Sequence, residues 1–569
     1  MTDVQGLTIA ISPSGVAYFT QTLLAPALTT ALSALVPPSK TITAPDLQLW
    51  STKYGSAEAQ GISITLSSGQ LSGFTPVFST VTQNPGGQFT LTMTAPAFSC
   101  SFNWNEQYTD IENRMFGSTS TPVNNNYGYT VGFAGMTITI VFAFEYVDSA
   151  WSFTFVSATP TPGAVVPNIP AASVVNTEEV GCFTENVSDA TKSAVDTIDF
   201  ASAVAAVVKP LFAQIPSTGQ ITTDISFQFQ EGPAGLTFPS DAGLVAGVSG
   251  VAAWRGTAYA AANPPVLPTP AIPAAHHLAY DVSDYTLNSL LWAFFAAGDL
   301  HQNVGPGSIP DPDVLNTANY NNTPLQALYD AYPNLSMTAA IDARAASTVT
   351  FEQIYTLSDT AYAALKPQLP PDVYTKLQPL LHQAFLTETA FYQALGNDVG
   401  QAAAGQYKTI IEAQAQTFAA VVTHGNQVVL NVVQDGNVVP AITFNVAQTD
   451  VLQGFGLGIS GAAQSLQFAF QIIPSLTQTT FVSSSVQGID SGDFGFIWNL
   501  ALQPAYAATV AKMGQAGVAL PRIPGFDFLL AEASITVQQG YVNVVTDVQH
   551  TTDRAMTLRL ASKLATAVA

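Results

Sequence analysis

The sequence predicts an α+β fold in two similar halves, and three features carry that expectation. Long runs alternate apolar residues with Ser, Thr and other polar residues, as antiparallel strands wetted on one side do. Two stretches, Val16–Leu35 and Val282–His301, are helical in period and apolar around most of their circumference. A Pro-rich connector, "NPPVLPTPAIPAAHH", separates two halves that repeat one order: strand, apolar helix, long antiparallel strands.

In chain order, Thr8–Ile11 reads as a short strand that passes through "SPSG" into the first helix. There Val16, Phe19, Leu23, Leu24, Ala27, Leu28, Ala31 and Leu35 share a broad face; Pro26 kinks the helix and Pro37-Pro38 end it. "GISITLSS" places Ile62, Ile64 and Leu66 on one strand face, and "QFTLTMTAPAF" does the same with Phe89, Leu91 and Met93. "MTITIVFAFEY" and "WSFTFVS" continue the pattern, so the sheet has an apolar face that would accept the first helix. A second helical segment covers Asp189–Phe212, and two strand-like pieces run on to Trp254. The connector follows as an extended, semi-rigid linker.

The second half opens with a strand at Leu278–Val282 and the stretch "VSDYTLNSLLWAFFAAGDLH". Asp284 and Asp299 bracket roughly 14 residues, short of the about 20 that a membrane span needs. A buried helix is expected instead, with Ser283 as N-cap, Asp284 at the positive end of the dipole and Gly298 closing the C-terminus. Leu287, Leu290, Leu291, Phe294 and Phe295 form its stripe, widened by Trp292. "MTAAIDARAASTVTF" reads as a strand or strand pair. Phe351–Phe418 turns helical, with Pro370-Pro371 and Gly396 dividing it into about three helices. "QVVLNVVQDGNVVPAITFNV" is a hairpin with Asp435-Gly436 or Gly436-Asn437 at its turn, "QSLQFAFQII" a strand, and "ASITVQQGYVNVVTDV" a closing hairpin.

Composition excludes several functions. Charged residues are 9% of the 569, against about 25% in ordinary soluble proteins. Hydrophobic residues are 47% and the mean hydropathy is +0.26, enough for a large core. The net charge is −23, and Lys40, Lys53, Arg114 and Lys192 are the only cations in the first 200 residues. Nucleic-acid binding lacks its basic clusters, and strong attraction to anionic membranes is disfavoured. Cys100 and Cys182 are too few for a disulfide framework or a structural zinc site; one bridge and two separate thiols both stay open. The start, "MTDVQGLTIA", has neither a basic n-region nor a long apolar core, so the expectation is a cytoplasmic product, with export by a non-standard route as the alternative.

Catalytic and metal patterns are weak. His276 and His277 are adjacent in an extended segment, where neighbouring side chains point to opposite faces, and no carboxylate or thiol cluster completes a metal site. Ser283 lacks a G-x-S-x-G elbow and reads as a helix cap. "IPDPDV" and "GIDSGDFG" lack the spacing of a calcium loop. No enzyme activity, metal or cofactor is expected.

The connector and the helix after it, "NPPVLPTPAIPAAHHLAYDVSDYTLNSLLWAFFAAGDL", resemble the junction of the bactericidal/permeability-increasing protein family of tubular lipid-binding proteins. Ser283, Asp284, Tyr285 and Asn288 stand at the family's helix-opening signature, and Gly298 at the glycine that ends the helix. "GLTIAISPSGVAYFTQTLLAPAL" resembles the family's opening strand and helix, with Ser12, Gly15 and Tyr18 in register. "GVALPRIPGFDFLLAEASITVQQGYVNVVTDV", with Leu520-Pro521, resembles its C-terminal end. The three anchors extend the resemblance over nearly the whole chain.

The resemblance implies a boomerang of two tubular barrels, each a highly twisted antiparallel sheet wrapped around a long apolar helix, joined by a central sheet. Here the divisions would be a first barrel at 1–215, central-sheet strands and linker at 216–275, and a second barrel at 276–569 with a helical insertion at about 351–418. It also implies a non-enzymatic lipid-binding or lipid-transfer protein holding phospholipid or another two-chain lipid, in transient contact with membranes. The helix faces nominate Val16, Phe19, Leu23, Leu24 and Leu28 for the first pocket and Leu287, Leu290, Leu291, Phe294 and Phe295 for the second. A scaffold of the same fold, such as an accessory component of a toxin cluster that needs no lipid, is the alternative, with the insertion as its partner-binding face. Two departures stand out. The family's disulfide would join the places held by Trp151–Val156 and Thr191–Phe212, which contain no cysteine, and the basic tip used by the lipopolysaccharide-binding members is missing.

Overall fold

The structure, a computed structural model, describes residues 5–19, 22, 37–84, 88–147, 150–176, 181–212, 217–237, 243–260, 267–272, 275–356, 359–380, 386–414, 416–460, 463–490, 494–521, 526–529 and 533–550. It is a mixed α+β fold of curled antiparallel sheets.

The two halves meet in one six-stranded sheet. Its order is Glu231–Thr237, Leu244–Val248, Leu7–Ile11, Leu278–Ser283, Tyr541–Thr546 and Ser534–Gln538, all antiparallel. The opening strands of the two halves are direct neighbours, with Leu7 opposite Val282 and Ile9 opposite Tyr280. The Leu278–Ser283 strand is buried at all six residues, as a strand covered on both faces must be. The chain thus draws this sheet from both ends and its middle, beyond the 216–275 segment in which its strands were expected.

In the first half, Ala150–Pro162, Met136–Val147, Gln88–Ala95 and Val77–Asn84 form one four-stranded sheet. Gly117–Phe133, Phe98–Arg114 and Gly55–Ser72 carry a second, edged by Val165–Val166, Lys40–Thr43 and Leu47–Thr52. The alternation read from sequence places Ile62, Ile64, Leu66, Leu91 and Met93 in the core. Register shifts at Gln60/Ser63, Ser67/Gln70 and Phe155/Ser157 are bulges, each of which adds local twist. The helices Gly181–Asp196 and Phe200–Phe212 cover this core through Val187, Ala194, Val195, Phe200 and Val204.

Two buried polar groups in this half have definite roles. Glu106, fully buried, accepts from Ser173 Oγ at 2.7 Å and from the Val174 N–H at 3.0 Å, tying the segment before the first of these helices to the sheet. Desolvation raises its pKa, partly opposed by those bonds. Cys100 is a free thiol in the core, and burial pushes it up to about 12. The helix expected at Val16–Leu35 begins as Pro13–Phe19; residues 20–21 and 23–36 lie outside the described residues.

In the second half, Gln302–Val304, Met337–Ala343, Gln416–Gln434, Asn437–Ser460, Ala463–Ser484 and Val518–Leu520 run in that order across one sheet. The strand or strand pair read at 337–351 is a pair lying end to end, and its second member runs on to Thr356. Met337–Ala343 and Thr348–Thr356 pair with successive parts of Gln416–Gln434, bridged by Arg344 N–H to Gly425 O at 2.8 Å. Asp435 and Gly436 make the expected hairpin turn, both at positive φ (51° and 79°), as a type I′ turn demands.

The helical insertion is narrower than 351–418 and holds four α-helices among the described residues: Asp359–Leu365, Pro371–Leu377, Glu388–Val399 and Gln401–Glu412. Phe351–Thr356 and Gln416–Phe418 are strand, paired with each other, because "TVTFEQIYT" keeps its β-branched and aromatic residues on the sheet. Gly400, at φ 91°, separates the last two helices; Gly396 lies inside the earlier one, where a Cβ would meet Gln401 Cδ at 2.5 Å. The insertion packs around its own core of Leu365, Val373, Leu377, Phe391, Leu395 and Ile411. No helix among the described residues is long and apolar enough to cross a membrane.

Asp281, in the middle of the joining sheet and 1% exposed, accepts from Asn543 Nδ2 at 2.7 Å. Desolvation outweighs that bond and raises its pKa to about 6. From about pH 4 to about pH 6 the unfolded chain has released this proton and the folded chain has not, so Asp281 costs stability as pH rises through that window. Asp281→Asn keeps the acceptor and removes the ionisation. Its stability over the native chain should grow to about 2 kcal/mol near pH 8 and vanish near pH 3.5. Thermal-unfolding scans at both pH values check this; an equal effect at the two would refute it.

Candidate functional site

The helix Asp284–Ala297 has the caps the sequence assigns. Ser283 is extended (φ −74°, ψ 157°) and its Oγ accepts from the Thr286 N–H; Gly298 is left-handed at φ 78°. The polar residues set into this apolar helix are its anchors. Ser283 Oγ and Thr286 Oγ1 both donate to the Gly6 carbonyl, at 2.8 and 2.7 Å. Ser289 Oγ accepts from the Ala252 N–H at 2.8 Å. Asn288 bonds Val349 both ways, donating to its carbonyl at 2.9 Å and accepting from its N–H at 2.6 Å. Three segments that are far apart in sequence are thus stitched to one helix.

Between the anchors the helix is hydrocarbon. Leu287, Leu290 and Leu291 have no exposed surface and belong to the larger of the two main cores; Phe294 is 7% exposed, and Phe295 and Trp292 sit half-buried at its margin. Tyr259 packs beside Trp292 at 5.9 Å and accepts at its carbonyl from Tyr285 Oη at 3.1 Å. A ligand can touch Phe295 and Trp292 as they stand, whereas contact with the three leucines requires the core to part.

The residues nominated on the first helix are placed only in part. Phe19 stands edge-on to Phe526 at 4.6 Å and packs against the larger core, outside the set that forms the first half's core. Val16 is helical but its side chain lies outside the described residues, as do Leu23, Leu24 and Leu28 altogether.

The end of the linker is clamped at the junction of the halves. His276 Nδ1 lies 3.0 Å from Asp547 Oδ2, and the His277 N–H donates to Asp547 Oδ1 at 2.9 Å. The His277 Nδ1 is 3.4 Å from that same Oδ1. The adjacent histidines, expected to diverge, instead converge on one carboxylate. The His277 ring also stacks on Tyr18 (4.7 Å, 8°), Ser12 Oγ donates to the His276 carbonyl at 2.6 Å, and a Cβ on Gly15 would collide with the His277 carbonyl. Ser12, Gly15 and Tyr18 are therefore the seat of the linker. Among the described residues, no group of three or more His, Cys, Asp or Glu side chains could hold a metal ion.

A buried polar seam in the second half has no counterpart in the sequence reading. Ser347 Oγ lies 2.7 Å from His424 Nδ1, and His424 Nε2 lies 3.1 Å from Asp450 Oδ2. Asp450 Oδ1 accepts from Gln448 Nε2 at 2.6 Å, and Gln448 Oε1 accepts from Trp498 Nε1 at 2.9 Å. Tyr506 closes over His424, its rings 5.9 Å apart, and burial pushes its hydroxyl up to about 12. Serine, histidine and aspartate are the groups of a hydrolytic relay, but here every member is 3% exposed or less. Ser347 Oγ is sealed beneath the helix Gln503–Ala516, so the seam as it stands joins helix to sheet. The signal was present: His424 and Asn426 occupy inward positions in step with Val422, Val428 and Leu430.

No family model matches the chain, and no curated protein matches it. Among solved structures it is similar to lipopolysaccharide binding protein, at 12% identity and TM-score 0.46, covering 96% of this chain and 99% of that one. It is also similar to P47 of Clostridium botulinum E1, at 7% identity and TM-score 0.21, covering 96% of this chain and 100% of that one. A third likeness, to Takeout 1 of Epiphyas postvittana, has 12% identity and TM-score 0.20 and covers 34% of this chain and 92% of that one.

Asn288→Ala should cost about 2 kcal/mol, because it removes two hydrogen bonds and strands the backbone of Val349. Differential scanning calorimetry measures it, and a loss below about 0.5 kcal/mol would show that Asn288 does not anchor the helix.

Proposed function

We propose that the chain is a non-enzymatic lipid-binding protein that shields a two-chain lipid, such as a phospholipid, and exchanges it with membranes. One observation carries this reading: the helix Asp284–Ala297 is hydrocarbon on nearly every side, yet is suspended by polar anchors among separate sheets. Such a helix offers apolar surface to whatever enters between it and those sheets, while its anchors hold it in place. An acyl chain entering there gains about 0.8 kcal/mol per buried methylene.

In this reading the first unit spans 1–215 and the second 276–569, with 216–275 joining them. The second pocket is lined by Leu287, Leu290, Leu291, Phe294 and Phe295, entered from the half-buried Phe295 side. The first is lined by Val16, Phe19, Leu23, Leu24 and Leu28. A second reading, a scaffold without lipid, is favoured by the insertion, which folds around its own core.

Native mass spectrometry of protein purified without detergent, followed by lipid extraction, tests the proposal. The expected result is a discrete adduct of about one or two lipid masses per chain. Phe295→Ser, at the half-buried margin, should reduce it several-fold with circular dichroism unchanged, whereas Leu290→Trp overpacks a side chain with no exposed surface and should lower thermal stability as well. A clean apo mass with no uptake from mixed liposomes would reject the carrier and leave the scaffold.

A further inference from the structure

In the first half, two tight turns stand side by side at one end of a sheet. Lys53-Tyr54 joins Thr52 to Gly55, and Met115-Phe116 joins Arg114 to Gly117. Gly55 pairs with Arg114, so the two turns are neighbours. Phe116 is 97% exposed, Met115 63% and Tyr54 61%, with Trp50 and Leu49 exposed behind them. The Trp50 ring lies across Gly55, where a Cβ would touch its Cη2 at 3.4 Å. Every residue from Gly117 to Pro122 is exposed, so the apex stands clear of the body.

This is an unusual place for such residues. Ordinary turns take Gly, Asn, Asp or Pro for backbone reasons; Met-Phe answers none of these and leaves two large apolar side chains in water. The chain is also poor in cations, yet two of the four in its first 200 residues, Lys53 and Arg114, flank this apex. Lys53 Nζ sits over the Tyr54 ring at 4.7 Å, and Arg114 pairs with Glu112 at 2.7 Å.

The geometry points to the apex formed by Lys53-Tyr54 and Met115-Phe116 as a lipid-surface insertion site, an assignment that rests on the lipid-carrier reading and names where the carrier meets its membrane. The side chains are of the kinds a bilayer interface takes. Phe116 and Met115, the most exposed of the apolar residues, would enter the acyl region, the amphipathic rings of Tyr54 and Trp50 suit the headgroup level, and Lys53 and Arg114 beside them suit phosphate. A convex apex suits insertion into a fluid surface. The net charge of −23 repels anionic membranes, and Glu112 offsets one of the two apex cations, so the fitting surface is zwitterionic and its binding only weakly dependent on salt.

The test uses the full chain and phosphatidylcholine vesicles in a sedimentation assay, with lipid load read in parallel by native mass spectrometry. Met115→Ser/Phe116→Ser should lower vesicle partitioning by about a hundred-fold, and Phe116→Ser alone by about ten-fold. The pre-bound lipid load should be unchanged in both. Vesicle binding by the double variant equal to that of the native chain overturns the assignment, as does a lipid-loaded native chain that ignores vesicles. Loss of self-association instead of vesicle binding would give the apex to a second copy and also overturn it. An empty native chain that still binds vesicles through the apex would retain this site and defeat the carrier reading alone.

Discussion

The carbonyl oxygen of Gly6 receives three donors: the Ser283 N–H at 2.9 Å, Ser283 Oγ at 2.8 Å and Thr286 Oγ1 at 2.7 Å. That convergence joins the two halves at the point where the first strand of one meets the strand-to-helix turn of the other. It sets the register of Leu7–Ile11 on Leu278–Ser283, and it aims the helix Asp284–Ala297 away from the sheet. Only glycine fits at position 6, because a Cβ would come within 2.5 Å of both Ser249 O and Thr286 Oγ1. The later anchors, Ser289 on Ala252 and Asn288 on Val349, extend a direction already chosen at Gly6.

A chain with 9% charged residues must satisfy its buried polar groups without many ion pairs. It does so with hydroxyls and amides. Glu106 is held by Ser173 and the Val174 N–H, and Asp281 by Asn543. Each is a carboxylate answered by uncharged donors, and in each desolvation wins, so the pKa rises. The seam through Ser347, His424, Asp450, Gln448 and Trp498 extends the economy across strand and helix. Such networks are directional where hydrocarbon packing is not, and they select one seating of helix on sheet from the many that apolar contact alone would tolerate.

The two main apolar cores are built differently. In the first half, long bulged strands close under the helices Gly181–Asp196 and Phe200–Phe212. In the second, the core runs from the joining sheet through Asp284–Ala297 to the large sheet around Phe444 and Leu430. Phe19 belongs to the latter through Phe526, so the start of the first helix is packed by the far end of the chain. The exposed apex of the first half lies at the end of its curled sheet, where the strands outrun the core that covers them.

Sequence alone determined the strands that alternate, the caps of Asp284–Ala297, the α+β class and a hairpin turn at Asp435-Gly436 or Gly436-Asn437, of which the backbone takes the first. These follow from local physics, since periodicity, capping and positive φ are properties of a few neighbouring residues. Tertiary structure decided what local patterns cannot hold. It drew the joining sheet from residues near 7, 245, 280 and 540, narrowed the insertion by returning Phe351–Thr356 to a strand, and turned His276 and His277 onto one carboxylate. It also brought Ser347 and His424 together across 77 positions and set Lys53-Tyr54 beside Met115-Phe116. Each of these depends on pairing between distant segments, whose partners are chosen by register and by the volume left to fill rather than by any nearby residue.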